Sequence, residues 1–243
     1  SSSISTGFEQ YKDIDVSLGL SDSYDDLRTL SSASSSLKKQ SGEFTEISGN
    51  YGFAFDKRNR KFMPTDGSVI TFRQAFPIFA DKAFIDNTFL ASNYVALSED
   101  VITATKLYLT AVNGIDEDVR ISKRKGISTT RLRGFEKGKV GPIDGNDHIG
   151  GNYAAALNLE ANLPNFLPED SKTDISVFLD FGNVWGVDYD SSISESNKIR
   201  SSTGIYASWN SPIGPMTFVF SNALQKASTD KTESFNFNLG TTF

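Results

Sequence analysis

The sequence predicts an all-β protein, an antiparallel transmembrane β-barrel, on three observations. Apolar and polar residues alternate with a period of two through most of the 243 residues. Connections of very different lengths separate the alternating runs, the pattern of short turns at one end of a barrel and long loops at the other. The polar positions carry Asn, Ser, Gly and single charges where a soluble core would be apolar, and the apolar positions are rich in aromatics, within a total of 19 Phe and 8 Tyr. A soluble antiparallel sandwich or barrel also alternates, and it stands as the alternative on pattern alone.

Taken in chain order, residues 1–43 are the least regular, and Leu27 to Gln40, "LRTLSSASSSLKKQ", reads equally as a poor strand or a loop helix. Strands follow around 44–56, with Thr45, Ile47, Tyr51, Phe53 and Phe55 on one face, and around 69–79, with Ile70, Phe72, Phe76 and Ile78. Segments 84–97 and 101–113 are long enough for strands but mixed in pattern. The alternation is cleaner thereafter. Tyr153, Ala155, Leu157, Leu159, Ala161 and Leu163 share a face, as do Ile175, Val177, Leu179 and Phe181 in the next run. Ile199, Thr203, Ile205, Ala207 and Trp209 form another face, followed by Met216, Phe218 and Phe220, and by Phe235, Phe237, Leu239, Thr241 and Phe243. This makes about eleven strands. Connections 76–84 and 210–216 are short, whereas 114–150 and 186–197 are long and polar.

On this face assignment Leu157, Leu179 and Phe218 meet lipid, and Asn158 lies on the water side, where Asn158→Lys is expected to be the milder change. Asp180 and Glu160 point to the inner face from neighbouring strands. They are the nearest carboxylates, by face and order, for a guanidinium carried into the lumen by the 114–150 segment.

Composition narrows the function. A formal net charge of −6 argues against nucleic acid as a general partner. The chain has no Cys, which removes disulfides and thiolate chemistry, and its one His, His148, offers no triad or His-based metal centre. The acidic stretches "SEDV", "GIDEDV" and "DYDSS" lack EF-hand spacing and read as solvated turns. Nothing sets two carboxylates across a cleft, and no Gly-x-Ser-x-Gly stretch is present. The expectation is a protein that is not an enzyme and takes no cofactor. No run of 18 apolar residues supplies a transmembrane helix, and the start "SSSISTGFEQ" has neither the basic nor the apolar region of a signal peptide.

Four stretches together resemble the outer-membrane assembly superfamily, the family of BamA-like insertases. "RLRGF" (Arg131, Leu132, Arg133, Gly134, Phe135) is similar to the Val-Arg-Gly-Phe motif of that family's sixth extracellular loop. "FMPTDGS" (Phe62 to Ser68) resembles its Phe-x-Pro-Thr-x-Gly element, and "FLDFGNVW" (Phe178 to Trp185) its Phe-x-Asp-x-Gly-x-Val-Trp element. "SPIGPMTFVFS" and "FNFNLGTTF" resemble its closing hairpin.

The resemblance implies that residues 1–243 are an outer-membrane β-barrel domain, with 114–150 a long extracellular loop folding into the lumen. It also implies a C-terminal portion of a larger barrel of about sixteen strands, without the POTRA domains and first strands, whose two edges would be unpaired. Family members pair the motif arginine with lumen acids, so Glu160, Phe178, Asp180 and Gly182 are the expected lumen partners of the loop, with Asp180 or Glu160 the acid that pairs with Arg133. Gly186 stands where relatives often carry a further Asp, so one acidic partner is missing. Phe235, Phe237, Leu239, Gly240 and Phe243 correspond to the carboxy-terminal strand signal of outer-membrane barrels. The implied function is assembly: folding and inserting β-barrel proteins in the bacterial outer membrane. Its implied partners are outer-membrane lipid, unfolded barrel clients and accessory assembly lipoproteins. A two-partner-secretion transporter and a passive porin-like barrel are the alternatives.

Overall fold

The computed structural model describes residues 1–61, 63–164, 167, 171–187, 193, 197–211 and 214–239, apart from the side chains of Ser36 and Lys39. The strands are β1 (Ser2–Tyr11), β2 (Ile14–Leu27), β3 (Gly42–Asp56), β4 (Gly67–Ala80), β5 (Phe84–Ala96) and β6 (Ile102–Gly114), then the two-residue β7 (Ile143–Asp144) and β8 (Asp147–His148), then β9 (Tyr153–Asn162), β10 (Thr173–Trp185), β11 (Arg200–Ser211), β12 (Gly214–Gln225) and β13 (Phe235–Leu239). All but β7 and β8 form one 11-stranded sheet in the order β1-β2-β3-β4-β5-β6-β9-β10-β11-β12-β13. Every neighbouring pair is antiparallel. Among the described residues β1 and β13 are not paired with each other.

Register explains the alternation. Phe53, Phe72, Phe89, Leu109 and Ala155 stand opposite one another across β3, β4, β5, β6 and β9. Ile205, Phe220 and Phe235 continue the same apolar face across β11, β12 and β13, beside Ala207, Phe218 and Phe237. Large side chains along it are exposed, including Leu18, Phe53, Phe76, Leu159, Ile205, Phe220 and Phe237. In water such a continuous patch would drive association; against hydrocarbon it is already satisfied. Gly49 serves this face directly, because the Phe76 ring lies over it and a Cβ there would come within 2.6 Å of Phe76 Cζ.

The opposite face is polar and partly covered. Lys106, Asn158, Asp180 and Ser202 form one line across β6, β9, β10 and β11. The covering is the connection 115–152, which contains β7, β8 and a short 3-10 turn (Ile121–Lys123). Its Ile127, Leu132, Phe135 and Val140 pack with Ala154, Ala156 and Val184 of the sheet. Small residues make that seat shallow: a Cβ on Gly182 would meet Ile127 Cδ1 at 3.0 Å and Leu132 Cδ1 at 3.4 Å.

Several sequence expectations need amendment. The 27–40 stretch holds a short helix, α1 (Ser35–Lys39), whose N-cap Ser34 accepts a hydrogen bond from Leu37 N. The strict alternation of short and long connections fails at 81–83. That three-residue turn lies at the same sheet end as the long 115–152 connection, because antiparallel strands send every second connection to one end. Phe62, Pro212 and Ile213 of the resembling motifs lie outside the described residues.

Asn158 is not the tolerant water-facing position its pattern suggested. It is 4% exposed, and its side-chain amide donates to Arg131 O at 2.8 Å and to Asp180 Oδ1 at 2.7 Å. For the apolar face, Leu157→Lys, Leu179→Lys and Phe218→Lys are each expected to cost about 2–4 kcal/mol near the bilayer midplane. Equilibrium unfolding in lipid checks this, and wild-type stability in all three variants would exclude a lipid-facing wall.

Candidate functional site

The motif sits where the connection turns back on the inner face. Arg131 N and Leu132 N both donate to Ser128 O, closing a turn that presents Arg133. Gly134 then adopts φ +88 and lies so close to the sheet that an added Cβ would be 3.3 Å from Ser202 Cβ and 3.4 Å from Ser221 Cβ. Its left-handed backbone and missing side chain let the loop rest on β11 and β12.

Arg133 is 7% exposed and Asp180 0%. The guanidinium donates from Nε to Asp180 Oδ2 at 2.7 Å and from Nη2 to Oδ1 at 2.6 Å, while the Arg133 backbone N–H also donates to Oδ2 at 3.1 Å. Nη2 lies 2.9 Å from Glu160 Oε1 as well. Such two-pronged, charge-assisted geometry is what makes a buried pair tolerable. Burial pushes the Arg133 pKa down, but the hydrogen bonds and charge of Asp180, with Glu160, outweigh it and hold the guanidinium above its ordinary value. The Phe178 ring centroid lies 3.8 Å from Arg133 Cζ and the Tyr206 ring 5.2 Å, a cation–π seat. Arg131 points elsewhere, over Tyr108 at 3.9 Å.

The second oxygen of Glu160 is also occupied. Lys106 Nζ donates to Oε2 at 2.7 Å and Tyr206 Oη donates to the same atom at 3.2 Å. Asp180, Arg133, Glu160 and Lys106 therefore form one chain of alternating charge from β10 through the loop to β9 and β6.

The loop is held at two further places. Beyond the motif, Glu233 N donates to Gly134 O at 3.1 Å and Glu136 N to Lys231 O at 3.0 Å, so the loop runs alongside the 226–234 connection. There Arg200 donates from Nε and Nη2 to the two oxygens of Asp230 at 2.8 and 2.9 Å, with both side chains fully buried. Before the motif, Lys123 Nζ pairs with Glu46 Oε2 at 2.7 Å, Arg120 with Asp25 at 3.4 Å, and Lys125 with Asp86. Arg120 also lies over Phe44 at 4.4 Å. The connection thus reaches from β2, β3 and β5 to β12 and the 226–234 connection.

Of the residues singled out in the sequence, Arg131, Leu132, Arg133, Gly134, Phe135, Glu160, Phe178, Asp180 and Gly182 come together here. Phe235, Phe237 and Leu239 do not; they line the exposed outer face of β13, with Phe237 5.1 Å from Phe218 and Phe235 5.2 Å from Phe220 between ring centroids. Gly240 and Phe243 lie outside the described residues. Sequence reasoning missed Lys106 and Tyr206 and gave Asn158 its face but no part in the site, although each occupies the same strand face as Glu160 or Asp180. It also missed Arg200 and Asp230, for which spacing offers no signal.

The Omp85 superfamily domain matches residues 1–243. The chain is similar to the outer membrane protein assembly factor BamA of Neorickettsia risticii, 25% identical over 250 residues, covering 98% of this chain and 33% of that protein. BamA of Neisseria meningitidis serogroup B is 32% identical over 139 residues, covering 46% of this chain and 17% of that protein. The crystal structure of BamA from Haemophilus ducreyi lacking POTRA domains 1–3 matches with a TM-score of 0.87 at 24% identity, over 97% of this chain and 52% of that one, a likeness of fold. The chain spans a third or less of the length of the two curated relatives.

Proposed function

The chain belongs to the Omp85 superfamily, and from that premise we propose that it forms barrel wall of an outer-membrane protein assembly factor, which folds and inserts β-barrel proteins in the bacterial outer membrane. The observation that carries this reading is the likeness, along 98% of the chain, to a relative named for that activity. Two structural features support it. An exposed apolar face runs across the sheet, as a lipid-facing wall requires. The motif loop is latched to the other face through Arg133, Asp180 and Glu160.

In this reading 115–152 is an extracellular loop folded into the lumen. Client strands would leave water with their backbone groups satisfied edge to edge, so the factor supplies a template edge and a locally thinned bilayer rather than bond chemistry. Its partners are outer-membrane lipid, unfolded barrel proteins and accessory lipoproteins. The deciding experiment reconstitutes the full-length protein in liposomes and measures the folding rate of an unfolded barrel client. Acceleration over empty liposomes is expected; ion conductance without acceleration would instead identify a passive pore, and export of a polypeptide a secretion transporter.

The outward aromatics of β13 fit a strand read by an assembly machine while its other residues face inward. Deleting Phe243 from the full-length protein is expected to slow its own insertion severalfold and leave the inserted protein's unfolding midpoint near wild type. Normal insertion with a lowered midpoint would make the final Phe an interfacial anchor only.

A further inference from the structure

We propose that Lys106 makes the loop latch releasable: it is a resident counter-ion that keeps Glu160 neutralised when Arg133 departs. The two carboxylates that hold Arg133 are provisioned differently. Asp180 receives three hydrogen bonds from Arg133, through the backbone N–H, Nε and Nη2, and one from Asn158 Nδ2. Glu160 meets Arg133 through Oε1 alone, while Oε2 is held by Lys106 and Tyr206. Lifting the loop strips most of the partners from Asp180 and leaves Glu160 on a standing pair.

Charge gives the same asymmetry. The docked network holds two cations, Arg133 and Lys106, against two carboxylates, and is neutral. With the loop lifted, Lys106 leaves one carboxylate uncompensated; without Lys106 both would be. Lys106 belongs to β6 and its side chain is 38% exposed, against 7% for Arg133 and 9% for Glu160. It stays with the sheet when the loop moves. Lys106 is therefore a positioning residue whose removal should hold the loop down. A purely structural lysine would loosen the site when removed.

This chain contributes no Cys, and with any Cys elsewhere in the full-length protein replaced by Ser, a single introduced thiol gives a direct readout. Ser202 is fully buried beneath Gly134, and its hydroxyl makes no hydrogen bond among the described residues, so Ser202→Cys places a thiol under the loop with little polar loss. In the full-length protein in bilayers, the rate of maleimide labelling at this position reports loop opening and is independent of client folding. Lys106→Gln is expected to slow labelling by roughly threefold to tenfold, the coupling typical of charges sharing one network. Lys106→Arg should label like wild type, and Lys106→Gln should lose its effect in a Glu160→Gln background. Faster or unchanged labelling in Lys106→Gln overturns the proposal. A second comparison needs no change at Lys106: Asp180→Asn must accelerate labelling more than Glu160→Gln does, and equal or reversed rates also overturn it.

Discussion

Replacing Arg133 with Ala in the full-length protein is expected to loosen the 115–152 loop by about 3–5 kcal/mol, the usual cost of removing one member of a buried ion pair. The effect comes from what remains. Asp180, fully buried, would keep only Asn158 of its four hydrogen bonds. The Phe178 and Tyr206 rings would lose the cation seated between them. Arg131→Ala is the control: it removes a cation–π contact with Tyr108, of the order of 0.5–2 kcal/mol. Hydrogen exchange across 127–140, or limited proteolysis of the loop, separates the two. Equal protection in both variants would deny Arg133 its role as the latch.

Arg200→Ala is expected to be comparably severe, about 3–5 kcal/mol, at a position the motif does not touch. Its guanidinium spans both oxygens of Asp230 with no exposed surface on either side chain. Asp230 Oδ2 also caps Ala227 N at 2.6 Å, so the pair fixes the whole 226–234 turn against which the motif loop lies. Chemical denaturation in bilayers reads the loss. The double variant Arg200→Met/Asp230→Leu should recover part of it, because no buried charge is left unpaired, while Ala227 N still loses Asp230 and Asn183 Oδ1 still loses Arg200. A double variant as unstable as Arg200→Ala would mean that Arg200 acts through other contacts.

The sheet was legible wherever one face meets lipid and the other meets polar side chains. Leu157, Leu159, Leu179 and Phe181 announce β9 and β10 because the side-chain period of a strand is two. It blurred where the loop covers the inner face with apolar groups: Phe84 and Val112 pack with Val119, so β5 and β6 carry apolar side chains on both faces at that end and their alternation weakens. In β2 the pattern of Ile14, Val16, Leu18 and Leu20 is present, but the Ser and Asp residues from Ser21 onward disguise its continuation to Leu27. The candidate site divides in the same way. Arg133 and its carboxylates could be read from motif and face, and face parity, which placed Asn158 correctly, would have added Lys106. Arg200 and Asp230 meet only because two connections fold over the same sheet end, which no local spacing encodes.

The span of the 115–152 connection also bears on how the chain folds. Neighbouring strands meet through local turns, but this segment reaches residues far away in sequence: Ser34 N donates to Asp147, 113 positions on, and Lys123 Nζ to Ser23, 100 positions back. Its seat does not exist until β2 and β3 have paired on one side and β9 to β12 on the other. The segment therefore closes the costliest loops in the chain for contacts that reward closure only once both sheet halves stand. Ordering of this loop is therefore expected to follow strand pairing on both sides, so that a docked loop reports that distant strands have already met.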